Sequence, residues 1–425
     1  MYKVKFVYPF LILVILFSCQ TPKQDSSSFE HNILLAENIG LYNEMKLSST
    51  VSQLEYIPLE TNKSCLLEDI NEIIVINDRI FIAGVEYCYV FSKDGKFLNP
   101  IGALGNGPGE YNSVGTVSIN KIIQTIFIHT SNKIHEYTWE GNYLRTITVP
   151  DIDDSRMKNC FFVKDNIFIG RIINYGDTKY KFCLFNDKGE IIKLFPNTVF
   201  FPKTRETFLY DYQYKTNIYQ YNNKWCLKES INDTISYLDG TELVPFALFN
   251  FGEYRLGGKI SKNSGTNVEQ LIGFHEIVGF SDFLFFTMHS IHVDLPKNRR
   301  IYEIIPSSLS TMNSSAPIRV LDNTIAGIYD FKNKTTVLLE NDPACGMFGL
   351  INDLDGGLPF WPKYCTDNDE LVSIWSIEDI KGVLTEEYFA AHEIKDVQAH
   401  QKLKELIKTI KDEDNPVVVI AKLKE

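Results

Sequence analysis

No run of roughly 18 uninterrupted apolar residues occurs in this 425-residue chain, so no segment is expected to cross a membrane as a helix. Basic residues are in deficit. Lys and Arg number 42 against 54 Asp and Glu, a formal charge of −12, which disfavours a general phosphate-binding surface and makes nucleic acid an unexpected partner. No C-x-x-C pair and no G-x-S-x-G occur, so a thioredoxin-like redox motif and a nucleophile elbow are both missing. With 25 Gly and 16 Pro the chain is neither collagenous nor broadly disordered. What it has in quantity is Phe and Tyr, 29 and 22, which favour pleated, half-buried strands over helices. A β-rich body follows from these counts; no ligand does.

The first residues are set apart. Lys3 and Lys5 precede an apolar stretch of twelve residues, Phe6 to Phe17, broken only by Tyr8 and Pro9 and too short to span a bilayer. The stretch ends in Leu16-Phe17-Ser18-Cys19, which resembles a bacterial lipobox, in which the cysteine becomes the acylated mature N-terminus. The expectation is a signal peptide over residues 1–18, lipid on Cys19, and a tether and lead-in over residues 19–49 before a propeller over residues 50–425. Residues 20–28, QTPKQDSSS, cannot build a core. Gln20, in place of the Asp that favours inner-membrane retention, directs the expectation to the outer membrane, with the lipid as sole membrane attachment. Of the seven cysteines after Cys19, an odd count, buried free thiols are expected. Cys160 and Cys183 fall on first and third strands of one repeat, too far apart to bond at a strand spacing of about 4.8 Å. Only Cys345 and Cys365, both in loop-like sequence, are candidates for a bridge.

A repeat of about fifty residues organises the rest. The turns Asp94-Gly95, Glu140-Gly141, Lys188-Gly189 and Asp239-Gly240 place their glycines 46, 48 and 51 residues apart, each between apolar strands. Each unit divides into four strands, the first at residues 72–76, 79–84, 87–92 and 97–101, and the second at 116–119, 125–129, 133–138 and 143–148. A sheet with two apolar faces is stable only when stacked, and radial stacking gives a β-propeller. After Phe249 the pattern loosens: the next turn, Asn333-Lys334, lies 93 residues beyond Gly240. Periodicity therefore leaves six blades, one with a long insertion near residues 296–317, or seven. Near the end come strand-like residues 370–377 and a helix. Thr385 is its expected N-cap, and Ile394, Val397, Leu403, Leu406, Ile407 and Ile410 lie on one face. A last strand at 417–423 follows, and residues 54–59 can complete its sheet, closing the ring with both chain ends.

Residues 51–61 (VSQLEYIPLET), 89–111 (YVFSKDGKFLNPIGALGNGPGEY), 232–238 (NDTISYL), 352–362 (NDLDGGLPFWP) and 415–423 (NPVVVIAKL) resemble, in this order, the six-bladed, NHL-like β-propeller lipoproteins of Bacteroidota. The resemblance implies six blades and export, and offers no catalytic residue to transfer. Ser236 stands where that group commonly has Tyr.

Motifs that suggest chemistry do not survive their context. Gly105, Gly107 and Gly109 mimic a phosphate cradle, but Pro108 and a following strand replace the required helix. Residues 352–356 suggest a calcium loop, yet aligning Gly356 puts Ile351 and Pro362 at the anchor ligands. His275-Glu276 and His392-Glu393 lack the second His of a zincin. His129, His135 and His289 are read as strand residues. Residues 200–221 hold eight aromatics among Lys203, Arg205 and Lys215, and Tyr210, Tyr212 and Tyr214 share one side of an extended chain. Arg205, Tyr210 and Tyr212, with Trp361 as a second locus, are the candidate ligand contacts. The expected function is a monomeric, non-enzymatic binding or scaffold propeller for a glycan, peptide or protein, without cofactor. The alternative is a lactonase-like hydrolase or lyase, in which single residues from several blades hold Ca²⁺ or Zn²⁺ on the axis.

Overall fold

The computed structural model describes residues 29–153, 155–198, 200, 216–229, 232–254, 271–291 and 324–424. Among them six four-stranded antiparallel sheets are arranged as the blades of a propeller. Blade 1 is Glu72–Ile76, Arg79–Ala83, Cys88–Ser92 and Phe97–Pro100, and blade 2 is Thr116–Asn120, Thr125–Thr130, Lys133–Thr138 and Tyr143–Thr148. Blade 3 is Met157–Lys164, Ile167–Ile172, Tyr180–Asn186 and Ile191–Pro196, and blade 4 is Asn217–Tyr221, Lys224–Lys228, Thr234–Asp239 and Glu242–Asn250. Blade 5 comprises Leu271–Phe280, Phe283–Ile291, Thr324–Asp330 and Thr335–Leu339. Its second and third strands pair directly, His289 opposite Thr324, so the chain between them is an insertion within one blade and the count is six. Blade 6 joins the two chain ends: Tyr364–Cys365, Glu370–Trp375 and Val417–Leu423 are completed by Val51–Pro58, with Val417 opposite Pro58 and Ala421 opposite Leu54.

First strands lie innermost, those of neighbouring blades approaching one another around the axis. Alternation along the second strands divides each blade's side chains between its two neighbours. Ile80 and Ile82 pack with Val418 and Ile420 of blade 6, while Phe81 packs with Ile126 and Ile128 of blade 2. Phe127 continues the pattern, stacked on Phe162 of blade 3 at 5.0 Å between ring centroids. The repeated glycine turns serve this stacking as well as the hairpin. Gly95 and Gly141 sit at φ +84° and +86°, and a Cβ at either would lie 2.2 or 2.4 Å from the carbonyl oxygen of Pro58 or Pro100, in the outer strand of the preceding blade. The turn therefore requires glycine twice over, for its left-handed backbone and for its close approach.

Two features depart from the sequence reading. His31–Leu34 pairs in parallel with the outer strand of blade 4, and Tyr42–Asn43 with that of blade 5. Among the described residues pairing thus begins at His31, and a strap crosses two blade edges before entering blade 6. The expected single helix is three. Thr385 does cap a helix, through Tyr388 N, but a short one, Glu386–Ala390, preceded by Ile377–Val383. The longer helix, Val397–Thr409, starts afresh because the Asp396 carboxylate accepts from the amides of Gln398 and Ala399. Ile394 falls outside it, and Val397 is 71% exposed. The seven described cysteines are all free thiols, Cys345 and Cys365 included, so that candidate bridge is not formed.

Candidate functional site

Counting five residues from the start of each second strand gives Ala83, His129, Arg171, Lys228, Thr287 and Ile374. The positions are equivalent: each side chain faces the next blade, beside the axis, at the end of the propeller where the inner strands begin. Opposite the first five on the inner strands stand Glu72, Thr116, Lys158, Asn217 and Glu276. The axial end is therefore polar over blades 1 to 5 and apolar at Ala83 and Ile374. Cations occupy the middle of the arc, in blades 3 and 4, and carboxylates its two ends.

His129 is 3% exposed, Arg171 9% and Lys228 0%. The Lys228 ammonium donates to the carbonyls of Glu229 and Asn232, at 2.6 and 2.5 Å. Glu72 accepts from the amide of Val117 at 2.7 Å, tying blade 1 to blade 2, and Glu276 pairs with Lys363 of the blade 5–6 connection at 2.7 Å. Burial pushes the His129 imidazole down to about 4, with the Ser131 backbone opposing, so the ring is neutral at physiological pH. Neither of its nitrogens, nor the hydroxyl oxygen of Thr116 across the strand pair, has a hydrogen-bond partner among the described residues.

Blade 6 is different at this end, because its connections cover it. Asp342, fully buried, accepts from Tyr388 at 2.8 Å and pairs with His392 at 2.9 Å. Asp353 takes the amide and hydroxyl of Ser48 and the Lys395 ammonium, while Asp355 takes Tyr56, Asn352 and the amide of Gly357. The carboxylates of residues 352–356 are thus committed to protein donors, in keeping with the absence of calcium-loop anchors. The loop at residues 105–109 is likewise closed on itself: Gly107 N donates to Glu110, and Tyr137 to the carbonyl of Gly109.

Cys19, Arg205, Tyr210 and Tyr212 lie outside the described residues. The far end of their aromatic segment is packing: Tyr221 stacks on Phe331 at 4.9 Å in the blade 4–5 interface. Trp361 is 6% exposed and meets Phe285 and Phe348 edge-on, which makes it a core ring of the blade 5–6 interface. Among the described residues no three His, Cys, Asp or Glu side chains are grouped to hold a metal ion, and no helix is long and apolar enough to cross a membrane. Sequence reasoning missed the arc. Its signal is one residue per blade, visible only after the six second strands are aligned on their starts.

The fold is shared with a protein of Bacteroides fragilis NCTC 9343 named as exported, at a TM-score of 0.65 and 17% identity over 93% of this chain and 99% of that one. A member of the DUF4221 family from Bacteroides vulgatus ATCC 8482 is also similar, at a TM-score of 0.44 and 10% identity, covering 88% of this chain and 97% of its own. No curated protein matches. A family model described as a domain of unknown function, DUF4934, matches residues 30–422. Spanning nearly the whole chain, from the strap to the closing strand, that match places the protein in the DUF4934 family.

Proposed function

We propose that this chain is a cell-envelope lipoprotein, lipidated at Cys19 and held at the outer membrane, whose propeller binds a glycan, peptide or protein partner at its axial end without transforming it. The polar arc over blades 2 to 5 carries the reading. Polar side chains stand there in four successive blades at a position that is apolar in the other two, and they gather hydrogen-bonding groups of both signs of charge at one end of the axis. The connection holding Arg205, Tyr210 and Tyr212 leaves blade 3 after Pro196 and enters blade 4 at Asn217, opposite Lys228, so it attaches at this same end. Long connections on rigid scaffolds commonly carry binding residues. The exported name of the Bacteroides fragilis protein supports export of this one.

One preparation tests both halves. The Cys19→Ser protein should move from the membrane fraction to the soluble fraction, and should bind members of an array of envelope glycans and peptides. Tyr210→Ala with Tyr212→Ala in that background should lose the binding and keep its melting temperature. Membrane residence of Cys19→Ser with no acyl mass on the wild type contradicts the anchor. Loss of melting temperature together with binding makes the tyrosines packing residues.

A further inference from the structure

The inner hairpins, which join first to second strands, are short polar turns in four blades: Asn77-Asp78, Asp165-Asn166, Asn222-Asn223 and Ser281-Asp282. Blade 2 differs. Its hairpin is the longer Lys121-Ile122-Ile123-Gln124, and the apolar pair at its tip is bare, Ile122 being 92% exposed and Ile123 59%. The tip is also braced. Ile122 N donates to the Asn120 side chain at 3.1 Å, the Gln124 carbonyl accepts from Trp139 N at 3.2 Å, and the Lys121 ammonium pairs with Asp367 in the corresponding hairpin of blade 6. Two adjacent isoleucines held out into water, where the equivalent tips are polar, mark a contact surface.

The course of the chain says what meets that surface. In a four-stranded up-and-down blade the first and third turns lie at one end, so inner and outer hairpins share an end, opposite the polar arc. The described chain starts beside it. Lys334, in the outer hairpin of blade 5, donates to the Glu30 carbonyl at 3.2 Å, and the rings of His31 and Phe331 meet edge-on at 4.8 Å. From Cys19 to Phe29 the chain can reach at most about 35 Å, less than the roughly 55 Å width expected of a globular body of this size. A lipid on Cys19 therefore brings the hairpin end to the bilayer and turns the arc away from it. A short flexible tether also holds the tip at an effective concentration on the order of millimolar, so a contact too weak to retain the free protein is enough. The carboxylates of Asp78, Asp165, Asp282 and Asp367 on neighbouring inner hairpins favour a zwitterionic surface over an anionic one. We infer that Ile122 and Ile123 dip into the bilayer as a second, weak attachment, and that the propeller stands on its hairpin end with the polar arc presented away from the membrane. The inference rests on the proposed lipid at Cys19.

The test uses residues 19–425 with hexahistidine in place of Cys19, which keep every described residue, held on phosphatidylcholine vesicles by a nickel-chelating lipid. On these vesicles Ile122→Trp should lose most of its added emission to acyl-brominated phosphatidylcholine and little to aqueous iodide. Val85→Trp should do the reverse, because Val85 is 48% exposed in the connection between second and third strands of blade 1, at the other end. Ile122→Asp with Ile123→Asp should weaken the apparent affinity for the vesicles about tenfold, and should keep the melting temperature, since both side chains are exposed. Iodide quenching of vesicle-held Ile122→Trp, or undiminished vesicle affinity of the double-aspartate variant, overturns the contact. A dimer in vesicle-free sedimentation that the double-aspartate variant converts to monomer, with vesicle affinity unchanged, gives the tip to a second copy of the chain and overturns it as well. An unacylated Cys19 in the wild type overturns the anchor, and with it the stance on the membrane; that result is read from mass alone and is distinct from any failure of the tip on vesicles.

Discussion

Removing residues 415–425 is expected to leave a chain that does not fold. The strand Val417–Leu423 is the third strand of blade 6 and lies between Glu370–Trp375 and Val51–Pro58, which are more than three hundred residues apart in sequence. Its first five residues, Val417, Val418, Val419, Ile420 and Ala421, are completely buried. At about 1.5–3 kcal/mol for each buried Val or Ile side chain, the four larger ones alone contribute on the order of 6–12 kcal/mol. That matches the whole net stability of a typical domain, about 5–15 kcal/mol. The deletion would also strip Val51–Pro58 of its partner and expose two strand edges. Asn415 goes with it, and its side chain pins the loop that leads into blade 1, donating to the carbonyls of Glu60 and Cys65 and accepting from Leu67 N. Expression and thermal denaturation decide the matter. A soluble deletion protein with a cooperative transition at the wild-type temperature would mean that blade 6 is not the joint of the ring.

The second large effect is expected at Asp342. Its carboxylate is buried to 0% exposure in its side chain, and the His392 side chain is 6% exposed. Burial pushes the Asp342 carboxyl up, but hydrogen bonds from His392, Ala344 N and Tyr388 outweigh it, so the carboxyl lies below its ordinary range. For His392, burial pulls down and is outweighed by Asp342 and the Tyr388 carbonyl, so the imidazole lies above its ordinary 6.5. The two signs differ. Asp342 contributes stability above the normal carboxylate range and loses it as pH falls through its lowered value. His392 contributes fully below 6.5 and loses it as pH rises through its raised value. The pair is therefore worth most in mildly acidic solution. Asp342→Ala leaves the buried His392 Nε2 without its partner and the Tyr388 hydroxyl with the Gly357 carbonyl alone, a loss of about 3–5 kcal/mol by analogy with broken buried pairs. The wild-type melting temperature should decline above neutrality, and His392→Gln should flatten that decline. A wild type whose melting temperature is level from pH 6 to 9 would remove the ion pair from the account.

The legible parts of this fold were those written as local pattern. The acidic-glycine hairpins at Gly95 and Gly141 were visible because positive φ and close approach both demand glycine, so the residue recurs at blade period. The closing pair, residues 54–59 with 417–423, was visible because a strand without a neighbour in sequence must find one at the other terminus. The strap was not. His31–Leu34 and Tyr42–Asn43 add only four and two residues to existing edges, and strands that short have no periodicity to detect. The helical segment was misjudged at Asp396, where a cap restarts the helix inside what looked like one apolar stripe. The polar arc was hidden for a different reason. His129, Arg171 and Lys228 each follow an apolar run in a different strand, and only the propeller's rotation brings them to a common end. Trp361 shows the reverse error, in which a large aromatic in a loop sequence reads as a contact surface although the loop folds its ring inward between Phe285 and Phe348.

Amide hydrogen exchange of the whole protein, with and without a saturating ligand from the array, tests the central claim most directly. Ligand at the axial end predicts slowed exchange at residues 115–117, 128–130, 157–158, 170–172, 217 and 228, the places where inner strands begin and second strands finish in blades 2 to 4. Protection confined to the opposite end, at the hairpins around residues 121–124, 165–166 and 222–223, or along the outer strands alone, would contradict it.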